Sequence, residues 1–268
     1  MTWETVNLKI QDNGVAIIEY NRPQQLNAIN EKMTEEFPLA CKEVQENRDV
    51  KVVVITGAGK GWSSGGDIST LASIKGPIHA KDTYDASTGI VEAVYEIKKP
   101  VIAAVNGPVA GASLSTCLAC DLIIAADTAR FGFTFINVAF VPDSGTSYFL
   151  VQKVGYHKAA EIVWFGKILD AEEALELGLC NKVVPQDQCL TEALALADKL
   201  SRRPLLTVEW DKKLLREALK NDFYQQADLE SMYQVLTWSS PDFMEGATAF
   251  AEKRKPVFNK VTRYDLRK

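Results

Sequence analysis

The chain has 268 residues, of which 47% are hydrophobic and 24% charged, enough apolar material for a sizeable core and incompatible with disorder over most of its length. Its net charge of −5 argues against a nucleic-acid or anionic-membrane surface protein. The five cysteines, an odd number in a long chain, fit a reducing compartment, so a cytoplasmic location is expected, and the opening MTWETVNLKIQDNG lacks the charged-then-apolar order of a signal peptide.

Residues 6–11, which alternate apolar and polar, and the mainly apolar residues 15–21 flank Asp12-Asn13-Gly14, which predicts a β-hairpin. Residues 28–47 read as a helix with its acidic residues early, as the helix dipole prefers. Residues 50–57, VKVVVITG, are almost continuously apolar and predict a strand covered on both faces. The loop Gly57-Ala58-Gly59-Lys60-Gly61 looks like a nucleotide loop but fails both patterns: Trp62 stands where the third dinucleotide glycine belongs, Val54 replaces the first P-loop glycine, and Gly61 follows the lysine. Next comes Ser63-Ser64-Gly65-Gly66-Asp67-Ile68, where two glycines permit close backbone approach and Asp67 and Ile68 open a helix with free N–H groups.

A helix is predicted over 89–99. Residues 100–120 carry no charge, yet Asn106-Gly107-Pro108 divides them and Ser113, Ser115 and Thr116 follow. A strand, a turn and a buried helix fit better than a membrane span of ~20 apolar residues. Cys117 and Cys120 form a C-x-x-C without a second pair or a nearby histidine, which reads as buried free thiols, with no metal site expected. Residues 121–127 are a third buried strand. Strands alternating with helices indicate an α/β layered fold. From about Glu172 the pattern turns helical, with stretches at 191–203, 207–219 and 241–255 and no linker. The expected division is a core over 1–195 and a helical region over 196–268 that packs on the core or on a neighbouring subunit. The two glycine turns, at 63–68 and 105–113, each place small residues at a helix start. Facing one pocket they would offer two amides to one oxygen, an oxyanion hole; otherwise they are ordinary strand-to-helix turns.

Five motifs in order carry a resemblance. They are N-R-P…L-N-A between Asn21 and Ala28, then S-S-G-G-D-I, K-P-V-I-A-A-V-N-G, A-C-D-L-I-I-A-A, and E-G-A-T-A-F-A-E-K-R-K-P from Glu245 to Pro256. Together they resemble the enoyl-CoA hydratase/isomerase (crotonase) family over nearly the whole chain. The resemblance implies an α/β fold, a crotonase-type spiral of βαβ units with a helical C-terminal region used in homotrimer or homohexamer assembly. It implies an acyl-CoA thioester substrate and no cofactor beyond the CoA moiety. The oxyanion amides would be those of Gly66 and Ala112, the latter usually a glycine. Asn27, Ala28, Ser64, Asp67 and Ile68 fall in the segments that hold CoA, and Phe250 and Lys253 match tail positions that touch it, often from an adjacent subunit.

The departures from the family carry the functional expectation. The two glutamates that handle water in a hydratase are replaced by Ser115 and Phe135, so hydration by the usual route is not expected. Asp143, in V-P-D-S-G, stands where hydratases have glycine, and resembles the acid of 3-enoyl-CoA to 2-enoyl-CoA isomerases of the peroxisomal type and of phenylacetate-pathway isomerases. Among Phe133, Phe135, Phe140 and Val141 its pKa should be raised. The expected activity is thus an enoyl-CoA isomerase with Asp143 as proton shuttle. The alternatives are a ring-type aryl-CoA isomerase, a hydratase, nucleophilic substitution by Asp143, or a non-catalytic acyl-CoA-binding scaffold. Substitution of that kind also uses a histidine on helix 89–99, which has none. Without the family, Asp143 reads more simply as a helix cap.

Overall fold

The N-terminal hairpin, β1 (Val6–Ile10) and β2 (Val15–Tyr20), is the edge from which the main sheet grows. The computed structural model describes residues 3–261. In chain order there follow α1 (Glu31–Glu46), β3 (Val52–Gly57), α2 (Ile68–Ala72), α3 (Gly76–Tyr95), β4 (Val101–Val105), β5 (Val109–Ala110), α4 (Ala112–Ala119), β6 (Leu122–Ala126) and β7 (Arg130–Gly132). The rest comprises α5 (Thr146–Trp164), β8 (Ile168–Asp170), α6 (Ala171–Glu176), β9 (Lys182–Val184), α7 (Cys189–Ser201), α8 (Leu205–Glu217), α9 (Phe223–Trp238) and α10 (Pro241–Ala251).

The main sheet runs β1-β2-β3-β4-β6-β9. Its first pair is antiparallel and every later pair parallel. Its central strands explain their own sequences. Val53, Ile55, Val101, Ala103, Val105, Ile123 and Ala125 point into one core, shared with α1, α3 and α4. Val52, Val54, Ile102, Ala104, Ile124 and Ala126 point into a second core, under α7. A strand buried on both faces has no polar face to show, hence the unbroken apolar runs. A smaller sheet, β5-β7-β8, stands beside the first.

Helix α1 begins later than position 28. Leu26 and Asn27 adopt left-handed φ of 50 and 56, and Asn30 caps the helix by accepting from the Met33 amide at 3.0 Å. Helix α3 begins earlier than position 89, at Gly76. The expected division at residue 195 falls inside α7, whose Ala193 and Ala197 fill the second core; that helix packs with the sheet. Helix α9 lies in a stretch that the sequence pattern left unassigned. All five cysteines are free and buried, Cys117 and Cys120 within or next to α4. Among the described residues no helix is long and apolar enough to cross a membrane.

Candidate active site

Two strand-exit loops meet side by side over the parallel sheet. Each is held by a single parallel bridge, Ile29 to Gly66 and Ser63 to Val109. The first bridge consumes the amides of Ile29, which donates to Gly65 O at 2.8 Å, and of Asp67, which donates to Ile29 O at 2.9 Å. The Gly66 N–H therefore faces the other way, toward the second loop. Ala112, the first residue of α4, has no acceptor within its helix. The loops approach so closely that a Cβ on Gly65 would lie 2.7 Å from Ala110 O, and one on Gly111 would lie 4.0 Å from the Gly66 nitrogen. Glycine is required at both, with φ of 88 and 57.

Buried side chains fix this arrangement. Asn27, fully buried, donates to Ala58 O and Gly61 O at 2.9 Å each and accepts from the Arg22 amide. Asn106 grips Gly57 O and Gly59 O. The glycine-rich loop thus turns carbonyls onto two asparagine amides. The Ser63 hydroxyl donates to Asn27 O at 2.7 Å; its one proton is spent, so Ser113 Oγ donates to Ser63 Oγ. This hydroxyl pair joins Ser63, two residues before the Gly65-Gly66 pair, to Ser113, the residue after Ala112.

Gly66 and Ala112 line a cavity of about 690 Å³, together with Asp143, Phe135, Phe140 and Tyr84. Asp143 precedes α5 in a turn with Ser144 at φ 49 and Gly145 at φ 92. It is not a cap: the N-cap of α5 is Gly145, with no side-chain bond to the helix. Its Oδ1 is buried without a hydrogen-bond partner. Burial raises its pKa. Ser144 Oγ stands near enough to temper that rise but out of bonding geometry, and is itself buried and unpartnered. The other carboxyls lining the cavity differ. Asp67 bonds to Ser69 and to Arg22, at 2.8 Å from the guanidinium, and the Ser69 hydroxyl, aided by Arg22, holds its pKa low. Glu31 and Asp82 are exposed at the mouth.

Of the residues expected to hold CoA, Ser64 and Asp67 line the cavity. Asn27 and Ala28 are buried behind it, and the Asn27 amide is wholly used in shaping the loop. Ile68 opens α2, and its side chain lies outside the described residues. Phe250, 88% exposed, and Lys253, also exposed, are not among the residues that line the cavity of this chain. Phe135 is buried at the cavity wall, an apolar surface where a hydratase has an acid. Ser115 is fully buried and bonded to the Asp143 carbonyl. Tyr84, on α3, was not foreseen. It packs edge-on against Phe140 with ring centroids 6.3 Å apart, and burial, then the nearby Asp143 charge, raises its pKa. Its neighbours at 79–85, HAKDTYD, are mostly polar and give no signal of a cavity wall. The arrangement can take a proton from a carbon next to a carbonyl and hold the oxyanion that results.

A family model described as enoyl-CoA hydratase/isomerase matches residues 10–261. "Probable enoyl-CoA hydratase echA8" of Mycobacterium tuberculosis is 34% identical over 258 residues, covering 96% of this chain and 99% of the relative. The 1,2-epoxyphenylacetyl-CoA isomerase of Escherichia coli is 32% identical over 253 residues, covering 92% and 95%. The crystal structure of an enoyl-CoA hydratase from Bacillus anthracis superposes with a TM-score of 0.91 at 28% identity, covering 95% of this chain and 99% of that one.

Proposed function

The chain belongs to the enoyl-CoA hydratase/isomerase family, and from that premise we propose that it moves the double bond of an enoyl-CoA from the 3- to the 2-position, with Asp143 as the proton shuttle. The observation that carries this reading is the Asp143 carboxyl: the residue is half-buried, one of its oxygens is buried without a partner, and it shares one cavity with Gly66 and Ala112. In a 3-enoyl thioester the C2 proton is acidified by the carbonyl and by the double bond. Asp143 takes it, and the electron pair of the C–H bond moves toward the thioester oxygen, where the two amides hold the charge. The dienolate collapses as the same carboxyl returns the proton to C4, leaving the 2-enoyl thioester and the ionised Asp143. One donor of this kind typically lowers the barrier by ~2.7–4 kcal/mol.

Hydration of the product needs a second group to hold water, and Phe135 and Ser115 supply none. The E. coli relative named an isomerase supports the reading; the mycobacterial name does not. A panel of CoA thioesters tests it. Isomerisation of a short 3-enoyl-CoA should exceed hydration of the matching 2-enoyl-CoA by ~10²-fold or more, the usual worth of a positioned acid or base. Comparable rates would overturn it. The aromatic lining of Tyr84, Phe135 and Phe140 supports a second reading, the same proton transfer on a bulkier aryl-CoA, which an unsaturated aryl thioester in the panel distinguishes. CoA itself is proposed to span the Ser64 and Asp67 rim, with Phe250 and Lys253 reaching it from an adjacent copy.

A further inference from the structure

The turn that carries Asp143 is unfavourable on its own. Ser144 is a left-handed serine, with φ 49, followed by Gly145 at φ 92. Such a backbone persists only where its surroundings over-determine it. Two fully buried hydroxyls do so here, Ser115 on α4 and Thr146 at the start of α5. The Ser115 hydroxyl donates to the Asp143 carbonyl at 3.1 Å. That spends its only proton, so Thr146 Oγ1 donates to Ser115 Oγ, at 2.6 Å. The Thr146 amide closes the ring by donating to the same Asp143 carbonyl at 2.9 Å. Neither hydroxyl is among the groups that line the cavity, so neither is placed to touch substrate.

We propose that Ser115 and Thr146 form a buried hydroxyl clasp that positions the Asp143 carboxyl, anchoring it to the helix whose first residue supplies an oxyanion amide. Ser115 is then more than a vacated acid position, because it holds the base that the chain uses elsewhere. The clasp sets the spacing between base and oxyanion hole through a single rigid element, since α4 carries Ala112 at one end and Ser115 one turn on. The inference rests on the reading of Asp143 as the base.

The test compares Ser115→Ala and Thr146→Val, which lack a hydroxyl, with Thr146→Ser, which keeps it. On a 3-enoyl-CoA the first two should lose ~10- to 10²-fold in kcat with KM unchanged, the usual penalty for a misplaced reacting group. The acid limb of their pH profile should move down, as the carboxyl swings toward water. Thr146→Ser should retain both the rate and the midpoint. A carboxyl titration by isotope-edited NMR on the ligand-free protein, with Asp143→Asn to assign the signal, gives a second readout free of any substrate. A kcat within twofold of wild type with an unmoved midpoint, or a Thr146→Ser protein as damaged as Thr146→Val, removes the clasp. If Asp143→Asn stays active, the isomerase reading fails, and the clasp is judged on the titration alone. A shifted Asp143 midpoint in the Thr146→Val protein then upholds it, and an unshifted one removes it.

Discussion

A carboxyl kept from water without a hydrogen bond binds its proton more tightly than the same group in an unfolded chain. Asp143 is partly in that position: it is half-buried, burial raises its pKa, and its buried Oδ1 has no partner. The sign for stability follows. The folded state holds the proton more strongly, so the contribution of this group is fully present below the ordinary aspartate range and is lost as pH rises through the raised value. At neutral pH the ionised side chain is a cost to the fold. Asp143→Asn removes that cost, and since the side chain caps no helix, the melting temperature at pH 7 should hold or rise. The same substitution should lower isomerisation by ~10²–10⁴-fold. In the wild type, rate against pH should show an acid limb with its midpoint above that of a free aspartate. A mutant that keeps most of its activity, or that melts lower, would show the carboxyl to be structural.

The oxyanion site depends on how two loops are spaced, and glycines at their contact set that spacing. Gly111 has φ 57 and ψ −141, a conformation closed to side chains, but a Cβ there would make only ordinary contact with the facing loop, 3.4 Å from Gly65 Cα at the nearest. Gly111→Ala should therefore cost ~1–3 kcal/mol in strain and leave a methyl 4.0 Å from the Gly66 nitrogen, within the volume that the substrate oxygen needs. Gly65→Ala would put a carbon 2.7 Å from Ala110 O, so the loops themselves must part. Denaturation curves should rank Gly65→Ala as the more damaging, and both should lose turnover; an unaffected rate in either would displace the oxyanion assignment. The sequence shows these glycines, and it shows β3, β4 and β6, because two-sided burial writes a continuous apolar run. It does not show β7, β8 and β9, at three residues each, which are too short to establish a period. Helix α5 is also hidden. Gly155 interrupts it at φ 74, and it exposes Val151, Tyr156 and Trp164, so it has no single apolar stripe. The roles of Ser115 and Thr146 were equally out of reach, because a hydroxyl's partner 31 positions away leaves no mark on local pattern.

At the scale of the molecule the apolar surface is uneven. Trp164, Phe165 and Ile168 are exposed around the end of α5, and Phe223, Tyr224, Met232, Val235, Leu236 and Trp238 along α9. A monomer rarely shows so much large apolar side chain on so few elements. The prediction is assembly into a trimer or a dimer of trimers, the arrangement that the family resemblance implies; sedimentation at micromolar concentration checks it, and a single species near the monomer mass of 29.6 kDa would contradict it. The buried cysteines have a different consequence at this scale. None of the five is exposed, and burial pushes the thiol of Cys180 up to about 11 and that of Cys189 to about 12, with Cys41, Cys117 and Cys120 also raised. Alkylating reagents attack the thiolate, so the closed molecule offers them neither access nor charge. Labelling then proceeds only through molecules that have transiently opened, and the five thiols act as an intrinsic clock for local and global unfolding across both cores.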